Sequence, residues 1–365
     1  AEINAVDEDG RTVLMIAALM EHKEVCELLI EKGADVNAVA WGSTALMRAA
    51  ERGHKEVCQL LIDKGAEVAA VSKYGSTVLM RAAEGGNKEV CQLLIEEGAD
   101  VNAVAWGSTA LMKVAKVNGL AWGSTALMRA AENGHKEVCE LLIRKGANFN
   151  DSALSNAVEG GNEEVCQLLI EEGADVNAVA KNGWTALTKA AEGGHKEVCQ
   201  LLIEKGADVN AVDLKNRTPL VISVESGQRE IIEMLINATV QASLYNGQPC
   251  YEYSEEQISY LKEKFRSMGI SLDALRTSNK LLLTDALEAG KANICKFLLS
   301  FDEVEIYLSS EDGWNVLMKV VEKKNMDVFT LLLDKVIELV AEDKDRFRSF
   351  ISRVTKSSGE IFDLF

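Results

Sequence analysis

The sequence predicts an all-α solenoid of stacked helix-turn-helix units, with projecting β-hairpin fingers and a helical C-terminal cap. Two observations support this prediction. The phrase Thr44–Ala50, or a close variant of it, recurs at intervals of about 33 residues along much of the chain. Each copy is followed by an apolar stretch with helical periodicity and then by a glycine. A unit this small cannot bury its own apolar face, so the units must stack on one another.

Each element of the unit has its own sequence signal. Thr44 precedes the first helix, where its hydroxyl can accept a hydrogen bond from a free backbone N–H. In the second helix, Val57, Leu60 and Leu61 have the i, i+3, i+4 spacing of an apolar stripe. Gly65 follows that helix, at the position where a left-handed residue commonly ends one. The polar, glycine-containing segment that comes next predicts the finger.

These units resemble the ankyrin repeat, closely over residues 1–237 and more loosely over residues 280–338. The resemblance implies an ankyrin-repeat solenoid that serves as a protein-binding scaffold. Where the family has Thr-Pro-Leu-His, three units here have Thr-Ala-Leu-Met and two have Thr-Val-Leu-Met, although Thr218-Pro219-Leu220 keeps the proline. We expect the methionines to replace a polar contact with adaptable packing.

The regular repeats, residues 1–237, contain two irregularities. The interval between Thr109 and Thr125 is half of the usual repeat length, which predicts a half-repeat near residues 109–124. Either half a unit has been lost there, or residues are absent from it. The finger near residues 148–152 is shortened. Both irregularities are expected to be defects in the solenoid.

The C-terminal part departs from the regular pattern. Residues 238–279 predict a degenerate repeat or a helical insertion. Within them, Ser254-Glu255-Glu256-Gln257 has the pattern of a capping box and opens a helix that is expected to end at Gly269. Residues 280–338 predict divergent ankyrin repeats, and residues 339–365 a helical cap. The final residues are either part of that cap or a short docking peptide.

Composition excludes two classes of partner. The formal net charge is −18, which disfavours nucleic acid because most of the surface would repel a phosphate backbone. No apolar run reaches the roughly 18 residues that a membrane-spanning helix needs, so membrane insertion is not expected. Hydrophobic residues make up 47% of the chain, which indicates a folded protein.

The cysteines follow the repeat. Seven of the eight occupy one position of the second helix: Cys26, Cys58, Cys91, Cys139, Cys166, Cys199 and Cys295. Equivalent positions in adjacent units lie roughly one helix diameter apart, about 10 Å, whereas a disulfide needs Cα atoms within about 7 Å. We therefore expect free thiols and a cytoplasmic, reducing location. No second ligand accompanies them, so a metal site is not predicted.

The chain lacks the residue combinations typical of an enzyme. All four histidines directly precede a second helix, where they have a structural explanation, and none follows His195. There is no phosphate-binding Gly-x-x-x-x-Gly-Lys loop. We therefore predict that the chain is not an enzyme and that it needs no cofactor.

Large aromatic residues are concentrated in the fingers. Five of them lie beside the glycine of a finger, at positions that the resemblance implies are variable and face solvent: Trp41, Tyr74, Trp106, Trp122 and Trp184. Tryptophan and tyrosine dominate binding hot spots, so these residues are candidates for partner binding. The alternative is that each ring packs on the neighbouring finger and that duplication copied the phrase Ala-Trp-Gly-Ser-Thr.

Basic residues form a second candidate set. They follow the methionine position of the first helices: Arg48, Arg81, Arg129 and Lys189, with Lys113 and Lys319. They are expected to border the concave groove beneath the fingers and could bind an acidic or aromatic-containing peptide. The alternative is that each cation is satisfied by the glutamate three residues later, as in an ordinary helix-surface ion pair.

The resemblance and the missing enzyme motifs favour a non-catalytic scaffold that binds a protein or peptide partner on its concave surface of fingers and first helices. Near-identical units point to recent duplication, and a host-directed effector or adaptor in the host cytosol is one hypothesis. The alternative is a targeting module for a catalytic domain, either in residues 238–365 or ahead of residue 1. Ala1–Val6 matches the end of a later unit, so we expect further sequence there.

Overall fold

The computed structural model describes residues 2–40, 42–73, 75–105, 124–148, 151–245, 253–268, 276–277, 280–281 and 295. The chain divides into two compact units. The first comprises Ala1–Ala178 with Glu204–Gly206, and the second Val179–Ile203 with Ala207–Phe365. Across the part of the chain that the structure describes, no helix has both the length and the apolar character needed to span a bilayer.

The first unit consists of pairs of short helices, each pair holding a first and a second helix of one repeat. In chain order the helices are α1 (Val13–Leu19) and α2 (Lys23–Glu31), α3 (Ala45–Arg52) and α4 (Lys55–Asp63), α5 (Val78–Glu84) and α6 (Lys88–Glu96), α7 (Ala126–Glu132) and α8 (Lys136–Arg144), and α9 (Asp151–Glu159) and α10 (Glu163–Glu171). Between pairs, isolated antiparallel bridges such as Val71 with Thr77 mark the fingers.

The predicted helix signals are confirmed in most repeats. The Thr44 hydroxyl accepts a hydrogen bond from the backbone N–H of Met47 at 3.2 Å, as an N-cap does. Gly65 has a φ of +90°, the left-handed conformation that commonly follows a helix end. The exception is α9, which begins at Asp151, so that Ser152 lies inside the helix rather than at the cap position of the repeat.

Adjacent repeats are joined by small residues and by side-chain amides. Ala49 and Ala50 are fully buried, which allows the next first helix to approach closely. The Asn87 side-chain amide donates hydrogen bonds to the carbonyl oxygens of Ala50 at 2.8 Å and Glu51 at 2.9 Å. These bonds satisfy the last carbonyls of α3, which have no partner within their own helix. Stacking therefore completes both the core and the hydrogen bonding of each repeat.

The same contacts connect the repeats on either side of residues 106–123. His135 Nε2 lies 3.0 Å from the Glu84 carbonyl oxygen, and the Asn102 side-chain amide donates to the Gly146 carbonyl oxygen at 3.0 Å. Ala105 pairs with Ser124 just as Ala40 pairs with Ser43. The repeat of α5 and α6 therefore packs directly on the repeat of α7 and α8. The half-repeat expected near 109–124 lies almost entirely outside the described residues.

The second unit begins with α11 (Ala186–Gly193), α12 (Lys196–Glu204) and α13 (Pro219–Glu225), followed by the longer α14 (Arg229–Tyr245) and by α15 (Glu255–Met268). A two-residue ladder, β1 (Arg276–Thr277) with β2 (Lys280–Leu281), comes next. Residues 282–294 and 296–365 lie outside the described ranges. The helical cap expected over 339–365 and most of the divergent repeats expected over 280–338 therefore cannot be compared with the structure.

The capping box predicted at Ser254 is confirmed. The Gln257 side-chain oxygen accepts a hydrogen bond from the Ser254 backbone N–H at 3.0 Å, and the Ser254 hydroxyl accepts one from the Gln257 backbone N–H at 3.3 Å. The helix that follows buries Leu261 and Phe265 and packs against α13. In the first unit, a first helix packs in this way against the first helix of the preceding repeat.

Deleting residues 107–122 tests the register across this segment. The deletion leaves Ala105-Trp106-Gly123-Ser124, the same phrase as Ala40-Trp41-Gly42-Ser43. Because α5 and α7 already pack on each other, we expect the free energy of unfolding to be unchanged or to rise by up to about 2 kcal/mol, since a shorter segment between them loses less entropy on folding. Urea unfolding followed by circular dichroism measures this.

Removing residues 42–57, a deletion of equal length, is the matched control. It eliminates α3 and should lower the free energy of unfolding substantially, because α1 and α5 then lose their packing partner. A comparable loss of stability in both variants would contradict the register described above.

Candidate functional site

Three arginines form a column along the first helices of the first unit. Arg48 on α3, Arg81 on α5 and Arg129 on α7 are half-buried, and each follows a buried methionine. They occupy the same position of the repeat, on the side of the first helix that faces away from the core. Ile16 on α1 and Asn156 on α9 take that position at the two ends. We call Arg48, Arg81 and Arg129 the arginine column.

The spacing of the arginine column follows from helix packing. Helix α3 packs against α5, and α5 packs against α7. Axes of packed helices lie roughly 8–10 Å apart, so the backbone positions of the three arginines repeat at about that interval. The column is continuous because the pairing of Ala105 with Ser124 brings α7 directly onto α5.

The glutamates of the same helices do not saturate these guanidinium groups. Arg81 Nη1 lies 3.6 Å from Glu84 Oε2, and Arg129 Nη1 lies 4.0 Å from Glu132 Oε2. Hydrogen-bonded pairs of this kind are shorter, about 2.7–2.9 Å. The buried Nε of Arg81 has no hydrogen-bond partner. The intrahelical ion pairs that we considered as an alternative are therefore weak, and the arginines keep donors for another ligand.

Arg48 has even less intramolecular pairing. Among the described residues, no carboxylate oxygen lies within 4.0 Å of its guanidinium group, although Glu51 follows it by three residues as Glu84 follows Arg81. Arg48 is therefore the member of the arginine column with the most donors available.

The other predicted site residues are distributed differently. Trp184 and Lys189 belong to the second unit, where both are half-buried, and Lys189 already has a polar partner. The remaining aromatic candidates lie outside the described residues: Trp41, Tyr74, Trp106 and Trp122. The structure therefore brings together the arginines of the predicted site, and the aromatic part of it stays a prediction.

The finger that contains Gly42 packs tightly against the following finger. Gly42 has a φ of +72° and lies against the backbone of Lys73, so that a β-carbon at this position would overlap the Lys73 nitrogen. Only glycine meets both conditions without strain. Adjacent fingers in this part of the first unit therefore keep a close and fixed separation.

Exposed valines in the fingers are a feature that the sequence analysis missed. Val6, Val39 and Val71 are 59%, 67% and 59% exposed, one in each of three successive fingers. Their signal in the sequence is the pair Ala-Val, which recurs at the same finger position in successive units. Apolar side chains repeated on a surface are typical of an interaction site.

Asp213, in a finger of the second unit, shows why a buried carboxylate here is not a candidate acid or base. Burial alone would raise the pKa of Asp213, but hydrogen bonds from the Arg217 and Lys215 backbone N–H groups and from the Arg217 side chain lower it. The Arg217 Nη2 lies 2.7 Å from Asp213 Oδ2. This carboxylate is saturated by structural bonds and has no capacity for a substrate.

Burial makes the cysteines that the structure describes poor nucleophiles in the folded chain. All seven that the structure describes are buried, and burial raises the pKa of the Cys58, Cys91 and Cys139 thiols to about 12. Nucleophilic cysteines instead have lowered pKa values. Within the described ranges, no three His, Cys, Asp or Glu side chains are grouped closely enough to hold a metal ion.

Comparison with known proteins agrees with this architecture. The family model described as "Ankyrin repeats (3 copies)" matches residues 1–71, 38–105, 69–153, 106–180 and 154–244. The chain belongs to the ankyrin-repeat family. Ankyrin repeats mediate protein–protein interaction, and the fold is typically a non-catalytic module.

A solved structure shows the same fold. The crystal structure of the human ASB11 ankyrin repeat domain is 23% identical to this chain, with a TM-score of 0.52. The match covers 62% of this chain and 98% of the ASB11 domain. A search of curated proteins found no match. At this level of identity, the likeness concerns the ankyrin solenoid alone.

Thiol labelling tests the burial of the cysteines. In a Cys250→Ser chain, we expect a soluble alkylating reagent at pH 8 to modify the buried cysteines at least roughly a hundredfold more slowly than in urea, because a raised pKa leaves little thiolate. Cys26, with a pKa raised to about 11 and with the exposed Val25 and Leu28 beside it, should react first. Mass spectrometry of the alkylated peptides gives the order.

Fast labelling of Cys139 in the folded chain would contradict this picture. It would show that α8 opens to solvent, and hence that the repeat it belongs to is not held by its neighbours.

Proposed function

We propose that this ankyrin-repeat chain is a non-catalytic scaffold that binds a protein or peptide partner on the surface formed by its fingers and first helices. The observation that supports the proposal most strongly is the arginine column, whose guanidinium groups face solvent in part and are not hydrogen-bonded to the glutamates of their own helices. A column of donors with unused capacity is complementary to an acidic segment.

The finger residues complete the proposed surface. The exposed valines supply apolar contact, and the tryptophans and tyrosine of the predicted site supply aromatic contact: Trp41, Tyr74, Trp106, Trp122 and Trp184. In the second unit, Lys189 supplies a cation at the same repeat position. Partner binding of this kind is consistent with a host-directed effector or adaptor that works in a reducing cytosol, where the free cysteines persist.

Affinity capture from a cytosolic lysate tests the proposal. The experiment compares the unchanged chain with an Arg48→Ala, Arg81→Ala, Arg129→Ala variant, and mass spectrometry quantifies the captured proteins. Each partly exposed charge contact contributes up to about 1 kcal/mol, so losing three should weaken the partner roughly 10- to 100-fold. A Trp41→Ala, Trp106→Ala, Trp122→Ala, Trp184→Ala variant tests the aromatic contribution in the same way.

The matched control is a Lys23→Ala, Lys55→Ala, Lys88→Ala variant, which removes the same number of cations from the second helices. We expect it to capture the partner as the unchanged chain does. Equal capture by the arginine and lysine variants would overturn the proposed location. If no protein is captured by any variant, the scaffold function itself is contradicted.

A further inference from the structure

We infer that the segment recognised by the arginine column is a polyproline II stretch with an acidic residue at every third position. The inference rests on the proposed function and adds the conformation and the spacing of the ligand. It follows from the period of the column, from the glutamates that flank it, and from the exposed apolar residues that share its period.

The period of the column matches one backbone conformation well. Polyproline II has three residues per turn and rises 3.1 Å per residue, so side chains at i, i+3 and i+6 lie on one face about 9 Å apart. Packed helices place the backbone positions of the arginine column roughly 8–10 Å apart, and the side chains start from that period. In a β-strand, side chains on one face are separated by about 6.6 Å or 13 Å, and neither value matches.

An α-helix has a comparable period but is too wide. Seven residues of helix advance about 10.5 Å, yet a helix with its side chains is about 10–12 Å across. Partly exposed glutamates flank the arginines: Arg81 is 26% exposed beside Glu84 at 36%, and Arg129 is 37% exposed beside Glu132 at 42%. A wide ligand would meet the glutamates together with the arginines. A narrow polyproline II segment can place its carboxylates over the arginines alone.

The remaining surface also suits a proline-rich segment. Val39 and Val71 are exposed in successive fingers and therefore repeat at the period of the arginine column. Exposed apolar side chains at this period suit contact with proline rings. Polyproline II segments are already ordered before binding, so little conformational entropy is lost when such a segment docks.

Fluorescence anisotropy with synthetic peptides and the full chain tests the inference. The first peptide repeats Glu-Pro-Pro three times. The second has the same composition with its three glutamates adjacent, and the third is an alanine-based helix with glutamate at every seventh position. At about 150 mM salt, where distant charges are screened, we expect the first peptide to bind at least tenfold more tightly than either other peptide.

The variants identify the surface involved. The preference for the first peptide should disappear in the Arg48→Ala, Arg81→Ala, Arg129→Ala chain and persist in the Lys23→Ala, Lys55→Ala, Lys88→Ala control. Equal binding of the first two peptides would overturn the inference, because it would show that charge alone is recognised. Tighter binding of the helical peptide would overturn it in favour of a helical ligand.

The failure of this inference is distinguishable from failure of the proposed function. If the arginine variant loses a captured partner while the Glu-Pro-Pro peptide shows no preference, the scaffold function stands and the polyproline II ligand is wrong. If the peptide binds through the arginines but no partner is captured, the ligand chemistry stands and the proposed function is not supported.

Discussion

The contact between one repeat and the next is the interaction on which the rest of this structure depends. A single helix pair cannot form a complete core of its own. Ala49 and Ala50 are fully buried because another first helix packs over them. Side chains such as Asn87 and His135 then satisfy carbonyl oxygens of the preceding repeat. Burial and hydrogen bonding are thus both completed across the boundary between repeats.

Stacking also determines what the surface can do. Because each repeat reproduces the contacts of its neighbour, a side chain that one repeat leaves exposed recurs at the helix-packing distance. The arginine column and the exposed valines both arise in this way. The binding that we propose therefore uses a repeated surface rather than a pocket.

Local signals in the sequence predicted the local structure well. The Thr44 cap and the Ser254 capping box each depend on a few neighbouring residues, and both are confirmed. The register across residues 106–123 could not be predicted, because residues 107–112 and 123–128 carry the same phrase and the sequence alone does not distinguish them. Whether each arginine pairs with its glutamate depends on side-chain rotamers, which the repeat pattern does not specify. The exposure of the valines depends on the geometry of the fingers, which the pattern does not specify either.

A distance between Arg48 and Arg129 tests the central claim, that α3, α5 and α7 are successive members of one stack. Spin labels are attached to an Arg48→Cys, Arg129→Cys chain that also carries Cys250→Ser, with the buried cysteines left unlabelled, and double electron–electron resonance gives the distance. Two helix spacings predict backbone positions roughly 16–20 Å apart. A separation of three spacings, roughly 24–30 Å, would place another helix in the column and contradict the account.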